Sequence, residues 1–587
     1  MKHTDHTAPL PEYAACRPLT AAEIAALEAR GNRADDWSSV RVAANFSPDR
    51  IEESRFEGTV LLGAGVTIRR ATLCNYRIGD GVRIEGVVRL ECRGESAFGN
   101  GVRVAAMNEC GGRPVALCDR LTAQTAYVLA VYRHRPETIA RIEALVDARA
   151  RELTDTLGTV GEGSTLVAAR LIREVRIGRG VTVEGASLLE NGTLCDGARI
   201  GADVKARDFI VAEEACVDNG ATLERCFVGE CVRLDKGFAA SESLFFANSH
   251  CENGEAASVF AGPCTVSHHK SSLLIAGMFS FFNAGSGTNQ SNHLFKSGAV
   301  HQSVHQRGCK FASGAYVMSP AVEAPFTLIL GRHANHHDTK HFPYSYLIEQ
   351  EGRSMLMPGA NLTSCGTVRD LAKWPQRDRR RVQRDVINYE AWNPFVAQLF
   401  VDALRELGAL AAADPEADTY TCNRVFIRAA MLRRGLKHYE RALAASLGAM
   451  LERGECLAEC DGTGRWIDVA GQFMTRRAMD DLLARVDAGG VTALAQLNAA
   501  FRHFHARYDA FAHRWALAAL AAQLGHDPSA DEVAGAIAAG REAREAFRRA
   551  AEADLERDAA PAMSVSYGLD AEDPSEVEAD FRQVRNL

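Results

Sequence analysis

The sequence predicts a β + α protein: a parallel β-helix that carries a helical insert and is followed by an all-α C-terminal domain. Small apolar residues recur every six positions, with Gly beside them, over two blocks of the chain. This period differs from helical spacing and from the alternation of a hairpin strand, and it is typical of short strands separated by corners. Between the blocks, and again after about residue 370, the apolar residues instead have helical spacing.

The composition excludes several classes of protein. The 587 residues exceed what one compact core holds, and the net charge of −8 disfavours a nucleic-acid binder. No apolar run is long enough to span a membrane, and the first residues lack the basic and apolar regions of a secretory signal. The 16 cysteines are scattered, without a paired framework. We therefore expect a cytoplasmic protein with reduced thiols and with no nucleic-acid or membrane partner.

Residues 1–55 are expected to form a short helix and an arm. Thr20 is the expected N-cap, Glu23 occupies the third helical position of a capping box, and the helix is expected to end at Gly31. This helix precedes the first repeat.

Residues 56–117 and 156–368 are expected to form the two parts of the β-helix. The residues expected to point inward are Ile78, Ile84 and Leu90; Ile177, Val183 and Leu189; Ile200, Ala206 and Ala212; and Val217, Leu223, Val228 and Leu234. Glycines beside them suit corners that need a positive φ or a close backbone approach. A single repeat cannot bury its own apolar face, so many coils must stack.

The stretch between the two blocks is expected to be a helical hairpin. It covers residues 118–155 and turns at His134–Pro136. The hairpin could cap or dimerise the β-helix, or it could cover a neighbouring site.

Residues 369–558 are expected to form the helical domain. Helices are predicted over 377–411 and 424–453, and the apolar stripe from Leu494 to Trp515 predicts one long helix with a buried face. Residues 559–587 form an acidic C-terminal tail.

The repeats resemble those of a known superfamily. The phrases RIGDGVRIEG, RIGRGVTVEG and FVGECVRLDKG resemble the hexapeptide repeats of the LpxA-like left-handed β-helix superfamily, over about residues 56–110 and 158–260 and less regularly to about 362. The resemblance implies a left-handed helix, three hexapeptides in each triangular coil, and a homotrimer. Members are mostly acyl- and acetyltransferases, sugar nucleotidyltransferase partners and γ-class carbonic anhydrases. The whole chain also resembles an uncharacterised bacterial family with a β-helix and a helical C-terminal domain, which implies no function.

Histidines are concentrated in one window of the chain. Half of the 18 lie between residues 268 and 341: His268, His269, His293, His301, His305, His333, His336, His337 and His341. The six-residue register weakens in this window, so packing alone does not explain the choice of residues. A segment that departs from the repeat pattern inside an otherwise regular scaffold is typical of a functional site.

One hypothesis for this window is acyl transfer to a small hydroxyl or amino acceptor, such as a sugar or nucleotide sugar. A neutral imidazole would accept the acceptor's proton while the acceptor attacks the thioester of an acyl-CoA donor. The candidate bases are His293, His301 and His305. The residues expected to orient the acceptor or to meet donor phosphates are Asn289, Gln290, Asn292, Lys296, Arg307 and Lys310.

A second hypothesis is a metal-dependent lyase or hydrolase. Imidazoles around a divalent metal such as Zn²⁺, with one open position, would activate water as in γ-class carbonic anhydrases. The candidate ligands are His333, His336, His337, Asp338 and His341. A third hypothesis is a non-catalytic binding scaffold, in which the histidines satisfy one another's hydrogen bonds and the helical domain recruits a partner.

Two weaker signals lie close to this window. Lys270 follows His268 and His269 and is expected to belong to the same pocket. The basic run 377–384 follows Lys373 and Trp374 and could bind a phosphate, although a solvated helix face is the favoured interpretation.

Overall fold

The structure, a computed structural model, describes residues 16–291, 301–454 and 461–585. It confirms a parallel β-helix with an inserted pair of helices, followed by a helical C-terminal region. Among the residues described, no helix has both the length and the apolar character needed to cross a membrane.

The β-helix is built from many short strands. Those before the insert are β1 (Arg17–Pro18), β2 (Arg33–Ala34), β3 (Val40–Val42), β4 (Ile51–Glu52), β5 (Arg55–Leu62), β6 (Thr67–Arg69), β7 (Thr72–Ile78), β8 (Arg83–Glu85) and β9 (Arg89–Glu91). Between them and the insert, β10 (Arg103–Ala105) and β11 (Pro114–Ala116) form a separate antiparallel pair. The strands that follow it, up to the middle of the column, are β12 (Gly158–Val160), β13 (Thr165–Val167), β14 (Leu171–Ile177), β15 (Thr182–Glu184), β16 (Leu188–Leu194), β17 (Arg199–Ile200), β18 (Lys205–Val211), β19 (Cys216–Val217), β20 (Thr222–Val228), β21 (Arg233–Asp235) and β22 (Ala239–Phe245).

The remaining strands complete the column and add hairpins beyond it. They are β23 (His250–Glu252), β24 (Glu255–Ala257), β25 (Phe260–Ala261), β26 (Val266–Ser267), β27 (Leu273–Ile275), β28 (Gly277–Phe279), β29 (Asn283–Ala284), β30 (Asn289–Ser291), β31 (Ser303–His305), β32 (Lys310–Phe311), β33 (Tyr316–Met318), β34 (Ala321–Glu323), β35 (Leu328–Leu330), β36 (Arg332–His333), β37 (Tyr346–Gln350), β38 (Arg353–Met357), β39 (Thr419–Cys422), β40 (Val425–Arg428), β41 (Trp466–Val469) and β42 (Gln472–Thr475).

The helices lie at the start of the chain, in the insert and in the C-terminal region. They are α1 (Ala21–Ala29), α2 (Ala123–Val131), α3 (Pro136–Leu153), α4 (Cys365–Arg377), α5 (Pro394–Ala413), α6 (Ala429–Arg453), α7 (Arg476–Asp487), α8 (Leu494–His505), α9 (Tyr508–Leu524), α10 (Ala530–Asp558) and α11 (Pro574–Arg585). The predicted capping box of Thr20 and Glu23 is present at the start of α1.

The regular coils contain seventeen residues, one fewer than three hexapeptides would give. Leu189 pairs with Ile172 in the preceding coil and with Ala206 in the following coil, and the same offset continues to Leu223 and Ala240. All five side chains are buried. Stacking therefore forms a continuous apolar core inside parallel strands, as the sequence predicted.

The coil has seventeen residues because one of its three corners is one residue shorter than the other two. At two corners a turn separates the strands, whereas β14, β16 and β18 each continue through the third corner around one residue with positive φ: Glu174, Asn191 and Asp208. This bend shortens the step between inward residues from six to five. The predicted register Ile200, Ala206, Ala212 is therefore wrong at its last member, because Val211 is the strand residue that pairs with Leu194 and Val228.

One coil in the His-rich window is much longer than the others. Met278 of β28 pairs with Val304 of β31, twenty-six residues further along the chain. The additional residues lie between β30 and β31, partly outside the described residues. This enlargement explains why the six-residue register weakens there.

The column ends in antiparallel hairpins. Strand β37 pairs with β38 in antiparallel fashion, and Met355 of β38 then pairs with Phe426 of the hairpin β39–β40. Pairing of this kind satisfies the backbone groups of a final edge strand. This hairpin and the hairpin β41–β42 were not predicted from the sequence.

Two helical predictions in the C-terminal region need correction. The helix predicted over 377–411 begins at Pro394, where Asn393 caps it by accepting a hydrogen bond from Val396 N at 2.9 Å. The single long helix predicted for the aromatic stripe is divided into α8 and α9 by a break at residues 506–507, although most of the stripe is buried as expected.

The insert lies against both the β-helix and the C-terminal region. At the start of α2, the backbone N–H of Ala123 donates to Asp385 Oδ1 at 2.8 Å, and the hydroxyl of Thr125 donates to Asn498 Oδ1 at 2.8 Å. In α3, the hydroxyl of Thr138 donates to Asp487 Oδ1 at 2.6 Å. These three hydrogen bonds fasten the insert to the C-terminal region.

Candidate functional site

The histidines of the window do not converge on one cavity. His305, His333 and His337 are buried inside the column, whereas His268 and His269 lie on its outer surface. His341 lies elsewhere, with its Nδ1 2.5 Å from Glu406 Oε1 of α5. The candidate base His293 lies outside the described residues, as do Asn292 and Lys296.

The buried histidines form a polar network around Glu323. His305 donates through Nδ1 to one carboxylate oxygen of Glu323, and His337 donates through Nε2 to the other at 2.7 Å. Burial opposes ionisation of this carboxyl, but the two imidazoles outweigh that effect and hold the pKa of Glu323 well below its usual range. Phe311 meets the ring of His305 edge-on, with the ring centroids 4.9 Å apart.

This network is part of the protein interior. The side chains of His305, Glu323 and His337 are 0% exposed, so no reactant in solvent contacts them in this structure. His305 Nε2 is buried and has no hydrogen-bond partner among the described residues. Holding a buried carboxylate between two imidazoles is a structural role, and the catalytic role predicted for His305 stays a prediction.

Arg307, which was predicted to bind substrate, instead lies in a contact between the β-helix and the C-terminal region. Arg307 is buried, and its guanidinium lies between the rings of Phe281 and Phe473, about 4 Å from each centroid. It donates three hydrogen bonds: to Asp468 Oδ2 at 2.8 Å, to Asn388 O at 2.6 Å and to Gly471 O at 2.6 Å. Arg307 therefore holds the hairpin β41–β42 against the β-helix.

Three other residues predicted to bind substrate have different surroundings. Gln290 is buried, and neither atom of its side-chain amide has a partner among the described residues. Asn289 precedes it and is half-buried. Lys310 forms an ion pair with Asp370 of α4.

The predicted metal ligands are divided between the interior and the surface. The ring centroids of His333 and His337 are 5.8 Å apart, and His333 Nδ1 lies 2.8 Å from Ser354 Oγ. Asp338 pairs instead with Lys340 at 2.8 Å, and His336 has a φ of 50°. Within residues 16–291, 301–454 and 461–585, no group of three or more His, Cys, Asp or Glu side chains is arranged to hold a metal ion.

A groove of about 420 Å³ between the β-helix and α4 is the strongest candidate site. Its floor consists of side chains on the outer face of successive strands, among them Arg233, His250, Val266 and Asn283. These residues follow one another at intervals of about one coil, so stacking places them in a column. His268 and His269 extend the floor.

Helix α4 and the segment after it form a cationic wall of this groove. Lys373, Arg377 and Arg379 line it, and none of the three has a carboxylate partner among the described residues. Burial, followed by the charge of Arg377, lowers the pKa of Lys373. Trp374 adds an aromatic side chain and meets Phe281 edge-on, with the ring centroids 4.7 Å apart. Unpaired cations beside an indole ring suit an anionic, planar ligand.

The rest of the basic run has a different role. The favoured interpretation of residues 377–384 as a solvated helix face is wrong, because α4 ends at Arg377 and the following residues dock on the β-helix. Arg380 is buried and pairs with Asp378 at 2.7 Å, and Arg384 pairs with Glu213. Within the run, Arg377 and Arg379 at the edge of the groove have no carboxylate partner among the residues that the structure describes.

A carboxylate holds one imidazole in the floor of the groove. His250 Nε2 donates to Glu252 Oε1 at 2.8 Å, and Lys236 donates to Glu252 Oε2 at 2.6 Å. Burial is the main reason that the pKa of His250 is lowered, although Glu252 opposes the shift, so the ring is neutral at pH 7. With its proton on Nε2, the neutral ring has a lone pair on Nδ1, which makes no hydrogen bond to a described residue.

His268 lies against His250, with the ring centroids 4.3 Å apart. Burial, and after it the neighbouring His250, lowers the pKa of His268 to about 4. Its Nε2 is buried and has no partner among the described residues. The groove therefore combines neutral imidazoles with fixed positive charge.

His250 and Glu252 were not among the predicted site residues, although the sequence carries a signal for them. Residues i and i+2 of a strand lie on the same face, so the His-Cys-Glu of β23 places the imidazole beside the carboxylate. His250 was overlooked because it precedes the dense window of histidines. Lys270 itself is exposed and follows the two histidines of the floor.

The pKa of His268 gives a direct test of this environment. In an NMR titration, the imidazole resonance that disappears in His268→Gln is expected to have a midpoint near pH 4. Because the folded protein disfavours the protonated ring, this group's contribution to stability is present above the unfolded pKa of about 6.5 and is lost as the pH falls towards 4. A midpoint of 6 or higher would contradict the buried, cation-rich environment.

Comparisons with known proteins place the chain in a family. A model for a domain of unknown function, DUF4954, matches residues 16–71 and 62–411, and a second, DUF6819, matches residues 455–587. A protein of Treponema pallidum (strain Nichols) named "Uncharacterized protein" is 24% identical over 445 residues. That alignment covers 65% of this chain and 59% of the relative. Because the first model covers most of the β-helix and the start of the helical region, the chain belongs to the DUF4954 family.

Proposed function

We propose that the protein is an acyltransferase that holds an acyl-CoA donor in the groove beside α4 and uses His250 as a general base. The observation that carries the proposal is the neutral imidazole of His250, held by Glu252, in the same groove as three cations that have no carboxylate partner in the described part of the chain. The acceptor would be a small molecule with a hydroxyl or amino group. The sugar and nucleotide-sugar acceptors expected from the sequence belong to this class.

The cationic wall would hold the donor's phosphates. Lys373, Arg377 and Arg379 provide charge-assisted donors for phosphate oxygens. Trp374 provides a surface for the adenine ring. At about 420 Å³ the groove matches the size of small-molecule sites and would take part of the donor.

His250 would move the proton. The acceptor oxygen or nitrogen attacks the carbonyl carbon of the thioester while His250 Nδ1 accepts the acceptor's proton. The tetrahedral intermediate then collapses and the C–S bond breaks. The sulfur of CoA takes the proton from the imidazolium, and CoA leaves as the thiol. Glu252 stabilises the imidazolium and keeps the ring in the required tautomer, while Lys236 fixes the carboxylate.

Three broader features belong to the same proposal. The repeat phrases support an LpxA-like β-helix, and with it a homotrimer, although the regular coils contain seventeen residues instead of eighteen. Every cysteine among the described residues is a free thiol, which supports the reducing environment of the cytoplasm. An acyl-CoA donor suits the groove better than a metal ion would, because the cations of its wall would repel a metal ion.

Binding of the donor is the first prediction. By isothermal titration calorimetry, CoA is expected to bind the full chain, and Lys373→Ala with Arg377→Ala is expected to weaken binding about a hundredfold or more, because charge-assisted hydrogen bonds contribute about 1.5–3 kcal/mol each. The matched control is Arg369→Ala, which removes an exposed charge of α4 that does not line the groove. Equal affinity of the double variant and the control for CoA would contradict the proposal.

Turnover is the second prediction. With acetyl-CoA and a panel of amino sugars and nucleotide sugars, release of CoA measured by chromatography is expected to fall about 10²–10⁴-fold in His250→Ala, the usual contribution of a general base. Glu252→Gln is expected to lose less activity, because the imidazole remains. CoA binding without turnover of any acceptor would favour the non-catalytic scaffold.

A further inference from the structure

A second cavity, of about 350 Å³, lies where the β-helix, the insert and the C-terminal region meet. Its walls are mainly apolar, and each part of the protein contributes to them. Met278 and Phe279 come from the β-helix, Val131 from the insert, and Phe395 and Ile467 from the C-terminal region. Because residues far apart in sequence form the walls, the cavity exists only in the fully assembled chain.

Arg113 places a positive charge at this apolar cavity. Its Nε donates to Gln302 Oε1 at 3.1 Å, and its Nη1 donates to Ala130 O at 2.8 Å. Both acceptors are neutral, and no carboxylate among the described residues pairs with Arg113. Burial, and after it the charge of Arg133, lowers the pKa of Arg113.

The carboxylate that lines the same cavity is already engaged. Asp468 Oδ2 accepts from Arg307 at 2.8 Å, and Asp468 Oδ1 accepts from Gly471 N at 2.7 Å. Asp468 therefore does not neutralise the charge of Arg113.

A hydroxyl donor accompanies Arg113 in the lining. Tyr127 Oη makes no hydrogen bond to a described residue. Nη2 of Arg113 is likewise without an acceptor among the described residues. Arg113 Nη2 and Tyr127 Oη both line the cavity, and each can donate one hydrogen bond to a carboxylate oxygen.

We infer that this cavity binds a small amphipathic carboxylate, with its anionic end on Arg113 and Tyr127 and its hydrocarbon body against the apolar walls. A cavity of about 350 Å³ lies at the lower end of ligand-site volumes, which fits a molecule the size of a medium-chain fatty acid. Binding removes the hydrocarbon and the apolar walls from water, which is favourable. The carboxylate neutralises a partly buried guanidinium. The inference does not depend on the function proposed for the groove beside α4.

The test is calorimetric titration of the full chain with octanoate, and with 1-octanol as the uncharged probe. Octanoate is expected to bind more tightly than 1-octanol. Arg113→Gln is expected to weaken octanoate at least tenfold and to leave 1-octanol nearly unchanged. Arg141→Gln is the matched control, because it removes an exposed charge of α3 outside the cavity.

A second variant keeps the inference testable if Arg113→Gln does not fold. Val131 is only partly buried and lines the cavity, so Val131→Phe is expected to fill it and to weaken both probes. The double variant Lys373→Ala with Arg377→Ala is expected to bind octanoate like the wild type. Equal affinity for octanoate and 1-octanol, no octanoate binding at millimolar concentration, or loss of octanoate binding in the groove variant would each overturn the inference.

Discussion

The architecture depends on the constant length of the coil. Because successive regular coils contain the same number of residues, equivalent positions stack into straight columns on every face and at every corner. Inside, these columns are aliphatic and form the core. Outside, one column provides the floor of the groove, and a neighbouring corner provides the surface on which the C-terminal region docks.

Buried charges fasten the C-terminal region to that corner. Arg384 pairs with Glu213, and Asp385 accepts a hydrogen bond from the backbone N–H of Ala247 at 3.0 Å. Arg307 reaches in the opposite direction, from the β-helix to Asp468 and the hairpin β41–β42. Removing one partner of such a pair leaves an uncompensated buried charge, which is costly. Any other docked geometry would separate the partners in the same way, so each contact favours the observed geometry even where its net energy is small. Both cavities exist because of this docking.

Local patterns in the sequence predicted much of the fold. The period of the aliphatic residues identified the β-helix, and the capping box of Thr20 identified the start of α1. The seventeen-residue coil was harder to predict, since the shortened corner depends on single residues such as Asn191 that adopt a positive φ without a glycine. Partly buried pairs such as Arg384 with Glu213 join residues that are 171 apart, and one sequence does not reveal such contacts.

The candidate site was predictable only in part. The sequence shows the basic run beside Trp374, but residue propensity does not distinguish Arg377, which lines the groove, from Arg380, which is buried. The density of histidines directed attention to the interior, where His305 and His337 hold Glu323. His250 and Glu252 carry a shorter signal, two residues on one face of a strand, and that signal has meaning only once the strand and its outer face are known.

The central claim is that buried polar contacts hold the C-terminal region on the β-helix, and a double-mutant cycle between Arg307 and Asp468 tests it most directly. The free energy of unfolding would be measured for the wild type, Arg307→Met, Asp468→Asn and the double variant. The docked geometry predicts a coupling energy of about 0.5–3 kcal/mol, as for side chains in one hydrogen-bond network. A coupling energy near zero would contradict the account, because it would mean that the two residues do not meet in solution.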